Sequence, residues 1–185
     1  MSTSVLVVGA GVMGHRHAAA VRALGDRVAV VVDANLERAR ALDENALTFE
    51  SLDTALAARP TVDAAIIATP SGQHLDQLLL LVTAGIPTLV EKPHRVPGQD
   101  ATALAEAVDG GAEVFVGMST RHWPGIVEVG RAISSGELGD ILGYTDRMAF
   151  PLPEGALPAW YFDRSLSGGG VLVTLGLVGR AVRGD

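Results

Sequence analysis

Apolar residues follow two rhythms along this chain. Short unbroken runs, Val5–Val8, Val28–Val32, Ala64–Ala68, Thr88–Val90 and Val114–Val116, alternate with stretches in which apolar residues recur every three or four positions. The unbroken runs read as strands buried on both faces, and the periodic stretches as helices packed by one stripe. Leu75, Leu78, Leu79 and Val82 form one such stripe; Ala101, Leu104, Ala105 and Val108 form another. Strands alternating with crossover helices predict an α/β fold, a doubly wound parallel sheet of the Rossmann kind, over residues 1–117.

Beyond Gly117 the rhythm changes. The pattern predicts an amphipathic helix over 124–134, a turn over 136–140 and a strand from Ile141 to Phe150. Pro151, Pro153 and Pro158 then exclude a central strand, and Gly168-Gly169-Gly170 leads into a short apolar helix. Residues 118–185 thus read as an incomplete α+β domain, because one strand and two helices do not readily close a core of their own. The run from Leu172 to Val178 is apolar on nearly every side, which calls for burial against something and leads us to expect a homodimer.

The first strand ends in Gly9-Ala10-Gly11-Val12-Met13-Gly14, and a helix follows. In this spacing Gly9 permits a tight turn, Gly11 lets the backbone approach a pyrophosphate, and Gly14 lets the helix pack closely on the strand. The helix N-terminus then offers Val12, Met13 and their neighbours as unpaired N–H donors to phosphate. The second strand ends in Asp33, about 20 residues further on, where a carboxylate can accept both ribose hydroxyls of an adenosine. Because that charge repels a 2′-phosphate, NAD is favoured over NADP. The competing reading is a plain loop with a solvated Asp33.

Two further strand ends carry polar residues. Thr69 and Pro70 form a turn after the strand ending at Ala68, and His74 opens the following helix; it either faces the cofactor or makes local hydrogen bonds. Glu91-Lys92-Pro93 follows the strand at Thr88–Val90. Open α/β sheets bind ligands at strand carboxyl ends, and the proline keeps Lys92 out of helical backbone. A lysine there can hydrogen-bond a substrate hydroxyl, relay its proton and stabilise oxyanion character. The alternative is an exposed lysine paired to Glu91.

Composition narrows the partners. The 185 residues carry a net charge of −7 without a basic run, which argues against nucleic acid and anionic membranes. Cysteine is absent, so thiol catalysis, disulfides and thiolate metal sites are excluded; no metal is called for, and a reducing cytoplasm is expected. Neither a signal peptide nor a run long enough for a spanning helix is evident.

Together these residues resemble the glucose-fructose oxidoreductase/inositol dehydrogenase/rhizopine-catabolism (Gfo/Idh/MocA) family. The likeness rests on the Gly9–Gly14 fingerprint with His17, on Thr69-Pro70 with His74, and on Glu91-Lys92-Pro93. Gly136-Glu137-Leu138-Gly139 and Gly168-Gly169-Gly170 look like later landmarks. The resemblance implies an N-terminal NAD(P)-binding domain lined by Gly9, Gly11, Val12, Met13, Gly14, Asp33, Thr69, Pro70, His74, Glu91 and Lys92. It also implies that Lys92 lies near nicotinamide and substrate as the catalytic acid/base, in hydride transfer to or from small sugars, cyclitols or related carbinols.

Two departures stand beside it. The family's aspartate and histidine, on the helix after the triple glycine, fall on Thr174 and Val178, neither of which relays a proton. The large open sheet that walls the family's substrate site is represented by one candidate strand. Arg121, His122, His94 and Tyr161 are the remaining polar candidates for a substrate, beside surface or packing roles. Two functions therefore stay open: an NAD(P)-dependent oxidoreductase, and a shortened relative that keeps the dinucleotide fold without redox turnover.

Overall fold

The computed structural model describes residues 2–143, 145, 147, 151, 153, 155–170 and 173. Six strands form one parallel sheet: β1 (Ser4–Val8), β2 (Arg27–Val32), β3 (Leu47–Phe49), β4 (Ala64–Ile67), β5 (Thr88–Glu91) and β6 (Val114–Gly117). Their order across the sheet is β3-β2-β1-β4-β5-β6. The order reverses between β1 and β4, and the crevice at the carboxyl ends of such a pair is where doubly wound sheets bind ligands. This is the Rossmann arrangement, and it lies within one compact unit, Met1–Gly117.

Alternation along the strands builds two cores. Leu6, Val8, Val30, Val32 and Ile67 face α3 (Leu52–Ala57), α4 (His74–Thr83) and α5 (Thr102–Asp109). Val5, Val7, Val28 and Val31 face α1 (Val12–Ala23) and α2 (Leu36–Leu42). Val28 and Val30 have the same parity yet lie on opposite faces. The register of β1 against β2 slips between Val5 and Leu6, and the extra residue at Ala29 reverses the alternation.

Helix α1 buries Gly14, Ala18 and Val21, three small or medium residues spaced four and three apart, so its axis approaches the sheet closely. In α4 the buried residues are His74, Leu75, Leu78 and Leu81, with Leu79 and Val82 only half-buried, so the apolar stripe is rotated from the predicted one. In α5 only Leu104 is buried; Ala105 and Val108 are exposed because this two-turn helix sits toward the end of the sheet. The strand β3 was not apparent from periodicity, since three residues carry almost none. In the edge strand β6, Phe115 is 59% exposed.

The second compact unit, Met118–Asp185, contains α6 (Pro124–Ser134) and the single-turn α7 (Arg164–Ser167). Proline at the first position of α6 starts the helix with its φ already set. The predicted strand at Ile141–Phe150 is not borne out where it is described: residues 141–143, 145 and 147 pair with nothing as a strand, and the rest lie outside the described residues. Gly168, with φ of 78°, ends α7. Of the apolar helix expected at 172–178, only Val173 is described, and it is helical; Thr174 and Val178 lie outside the described residues. Among the described residues no helix is long and apolar enough to cross a membrane.

A Cβ on Gly14 would overlap the carbonyl oxygen of Gly9, whereas one on Gly11 would meet nothing within 4 Å. Gly14→Ala therefore forces α1 off the sheet and should cost ~1–3 kcal/mol, read as a lower urea midpoint. Gly11→Ala should cost less than about 1 kcal/mol, the scale of a helix-cap change. Equal losses in the two variants would contradict the packing described.

Candidate functional site

The turn between β1 and α1 is shaped by backbone constraints. Gly9 has φ of 99°, and a Cβ there would lie 2.7 Å from the Ala68 carbonyl oxygen. Only glycine fits where the turn passes over the end of β4. The Gly9 amide donates to the Val32 carbonyl at 2.7 Å, which ties the turn to β2 as well. Gly11 is the cap of α1 and faces open space. Val12 is 72% exposed and Met13 half-buried, so the first N–H groups of the helix stand at an accessible surface without intrahelical partners. A cradle that an ordinary side chain would fill, at the positive end of a twelve-residue helix, fits a pyrophosphate.

Asp33 is held at the end of β2. Its Oδ2 accepts from the Ala10 amide at 2.8 Å, and its Oδ1 accepts from the Asn35 amide at 2.9 Å and the Arg38 guanidinium at 3.0 Å. The carboxylate is thus a brace for the glycine turn as well as an acceptor. Of its roughly four lone-pair sites three are taken, so receiving both ribose hydroxyls requires Arg38 to withdraw. Arg38 has an exposed side chain and adds a cation beside Asp33, which periodicity and the fingerprint did not reveal.

On the other side of the switch point, Glu91 ends β5 and reaches α1. His17 Nε2 lies 2.8 Å from Glu91 Oε1, and the Lys92 amide donates to Glu91 Oε2 at 3.2 Å. Burial pushes the Glu91 carboxyl up, but the His17 hydrogen bond and charge, with the Lys92 amide and ammonium, outweigh it and hold the group below the usual carboxylate range. Glu91 thus contacts the glycine-turn helix through His17, and it fixes the backbone of Lys92. Lys92 is half-buried, the Glu91 side chain is 12% exposed, and the lysine charge acts on the Glu91 carboxyl.

The loops after β4 and β5 are fastened together. His74 is fully buried, with Nδ1 2.7 Å from the Pro93 carbonyl oxygen and Nε2 2.8 Å from that of Thr69. With both nitrogens so engaged, the ring braces the loops. Thr69 Oγ1 donates to Gln77 Oε1 at 2.6 Å, and Gln99 Nε2 donates to the Gly72 carbonyl at 3.0 Å. Pro70 caps a short 3-10 turn, Ser71–Gln73, that leads into α4. His94 is lowered from its ordinary value, by burial first and then by the neighbouring charges of Arg95 and His74. Arg121 and His122 lie on a 3-10 turn of the second unit, Ser119–His122, and Tyr161 packs on Trp160 with ring centroids 4.1 Å apart.

A glycine cradle, an acidic residue at the next strand end and a lysine across the switch point define a dinucleotide-binding α/β domain. The chain matches, over residues 3–118, the model of the oxidoreductase family with an NAD-binding Rossmann fold, and it belongs to that family. It is 34% identical over 149 residues to an inositol 2-dehydrogenase of Gluconacetobacter diazotrophicus, an alignment covering 77% of this chain and 44% of that protein. With an inositol 2-dehydrogenase of Arthrobacter sp. it shares 36% over 145 residues, 75% of this chain and 43% of the relative. The chain therefore spans less than half the length of these curated relatives.

Among solved structures, GenD2 from gentamicin A biosynthesis in complex with NAD superposes with a TM-score of 0.78 and 28% identity, over 99% of this chain and 54% of that one. The WlbA dehydrogenase of Bordetella pertussis, in complex with NADH and UDP-GlcNAcA, gives 0.66 and 31%, over 75% and 41%.

Because the Glu91 carboxyl is depressed in the folded protein, its contribution to stability is present above the unfolded carboxyl value and is lost as pH falls through the lowered one. Glu91→Gln should cost ~1–2 kcal/mol at neutral pH, and urea melts of wild type and variant should converge in acid. A gap unchanged from pH 7 down to the acid limit of folding would refute the stabilised Glu91 carboxylate.

Proposed function

We propose that this protein is an NAD-dependent dehydrogenase acting on a carbinol or carbonyl of a cyclitol or sugar-like substrate, with Lys92 as the acid/base. The observation that carries the reading is the His17–Glu91 contact, which seats the residue before Lys92 against the helix that opens the cradle. Gly11, Val12 and Met13 would hold the pyrophosphate, Asp33 the adenosine ribose, and Thr69, Pro70 and Lys92 the nicotinamide side. When bound, NAD supplies the hydride acceptor or donor. In the oxidative direction Lys92 Nζ takes the proton of the carbinol oxygen, and in the reductive direction it returns it. The names of the inositol 2-dehydrogenase relatives support a cyclitol, and the bound nucleotide sugar in WlbA supports the wider sugar-like class.

NAD is favoured by the charge of Asp33, whereas Arg38 beside it offers a partner for a 2′-phosphate. The second functional reading, a relative without redox turnover, is favoured by Thr174 and Val178 at the positions where the family carries its aspartate and histidine. For the assembly we propose a homodimer, supported by the apolar side chains the second unit exposes, Trp123, Val127, Leu142 and Phe162 among them; sedimentation at the single-chain mass would refute it. The lack of cysteine supports a cytoplasmic location, which fractionation of the source cells would check.

Fluorescence titration should show NADH binding more tightly than NADPH. Lys92→Ala should lower turnover of a cyclitol by ~10²–10⁴-fold while leaving the NADH dissociation constant within about threefold, since the lysine acts in the transition state. Binding of neither nucleotide removes the dehydrogenase reading, and binding with no turnover on any cyclitol or sugar selects the non-redox one.

A further inference from the structure

The segment between β5 and α5 has no helix or strand of its own, and one four-residue turn organises it. Val96-Pro97-Gly98-Gln99 places proline second and glycine, with φ of 92°, third, and the Gln99 amide closes on the Val96 carbonyl at 3.2 Å. This is a type II turn encoded locally: proline presets the first φ, and glycine takes the positive one without strain. The Val96 side chain is buried, so the turn is seated on the protein.

What the turn presents is the Gln99 carboxamide. Its Oε1 accepts from the Val96 amide at 2.9 Å, and its Nε2 donates to the Gly72 carbonyl, 27 residues away in sequence, at 3.0 Å. An amide N–H only donates and a carbonyl only accepts, so the carboxamide has one orientation, and both of its ends are matched. The Arg95 guanidinium donates to the Gln99 main-chain carbonyl at 3.1 Å and fixes the same residue again.

Both partners stand near residues assigned above to the nicotinamide side. Gly72 follows the Thr69-Pro70 turn in the loop after β4, and Val96 follows Lys92 and Pro93 in the segment after β5. We propose that Gln99 is a positioning residue whose clasp on Gly72 sets the spacing between the Thr69-Pro70 turn and the Lys92 segment, and so the fit of the nicotinamide half of the dinucleotide. What enters that gap rests on the dehydrogenase reading; the clasp does not. Two loops left untied sample many arrangements, and ordering them when a ligand arrives is subtracted from affinity. A clasp already made in the free protein removes that cost.

Comparing NADH with ADP tests this in the whole chain. ADP carries the adenosine ribose and the diphosphate but no nicotinamide, so it reads the cradle and Asp33 alone. Gln99→Glu keeps the acceptor for the Val96 amide and sets an oxygen against the Gly72 carbonyl, whereas Gln99→Met keeps the length and loses both bonds. In each variant NADH should bind ~3–10-fold more weakly, the scale of one hydrogen bond, while the ADP dissociation constant stays within about twofold of wild type. Unchanged ADP binding also shows that the variant is folded.

An NADH-to-ADP affinity ratio equal in wild type and both variants overturns the positioning role, and so does an equal loss for the two ligands. Failure of wild type to bind either ligand refutes the dehydrogenase reading itself, and the proposal falls with it.

Discussion

The ligand end of this sheet depends on how closely one helix can lie on one turn. Helix α1 seats on β1 because Gly14 has no side chain to strike the Gly9 carbonyl, and Gly9 in turn adopts a backbone and a proximity to Ala68 that only glycine tolerates. That contact aims the helix N-terminus across the carboxyl ends of the central strands. A side chain at either position would move the amides that make the cradle, although neither glycine need touch a ligand. Gly11 is the contrasting case: a Cβ there would meet nothing within 4 Å.

Around this contact the neighbouring strand ends are tied to one another rather than left as separate loops. Asp33 braces the turn from β2, Glu91 engages α1 from β5 through His17, and His74 joins the loops after β4 and β5. The polar residues at the crevice are therefore largely occupied with one another. Such preorganisation places Lys92 and the cradle within one connected framework, so that little ordering remains to be paid for when a ligand binds. It also explains why Asp33 offers less free acceptor capacity than its position alone suggests.

The fold was legible wherever local pattern and global packing agree. Five strands, the parallel winding and the α6 boundaries follow from runs such as Val5–Val8 and from Pro124 at a helix start. What escaped has physical causes. Three-residue β3 has too little period, the α4 stripe turned because Leu81 packs where Leu79 was expected, and α5 exposes Ala105 and Val108 near the sheet edge. The fingerprint glycines, Asp33 and Lys92 could be named because their spacing has a mechanism. The partners of Glu91 and Gly72, separated by 74 and 27 residues, could not, since side-chain pairing at that range has no sequence period. Arg38, five residues after Asp33, was near enough to notice but carried no signal until its contact was seen.

Family membership follows from the match over residues 3–118. The central claim is that main-chain amides at the start of α1 grip a diphosphate. Amide proton–nitrogen spectra recorded while NADH is added read it most directly. The account predicts that the amides of Gly11, Val12 and Met13 move furthest and earliest among those of the first unit; shifts confined elsewhere, with these three unmoved at saturation, would contradict it.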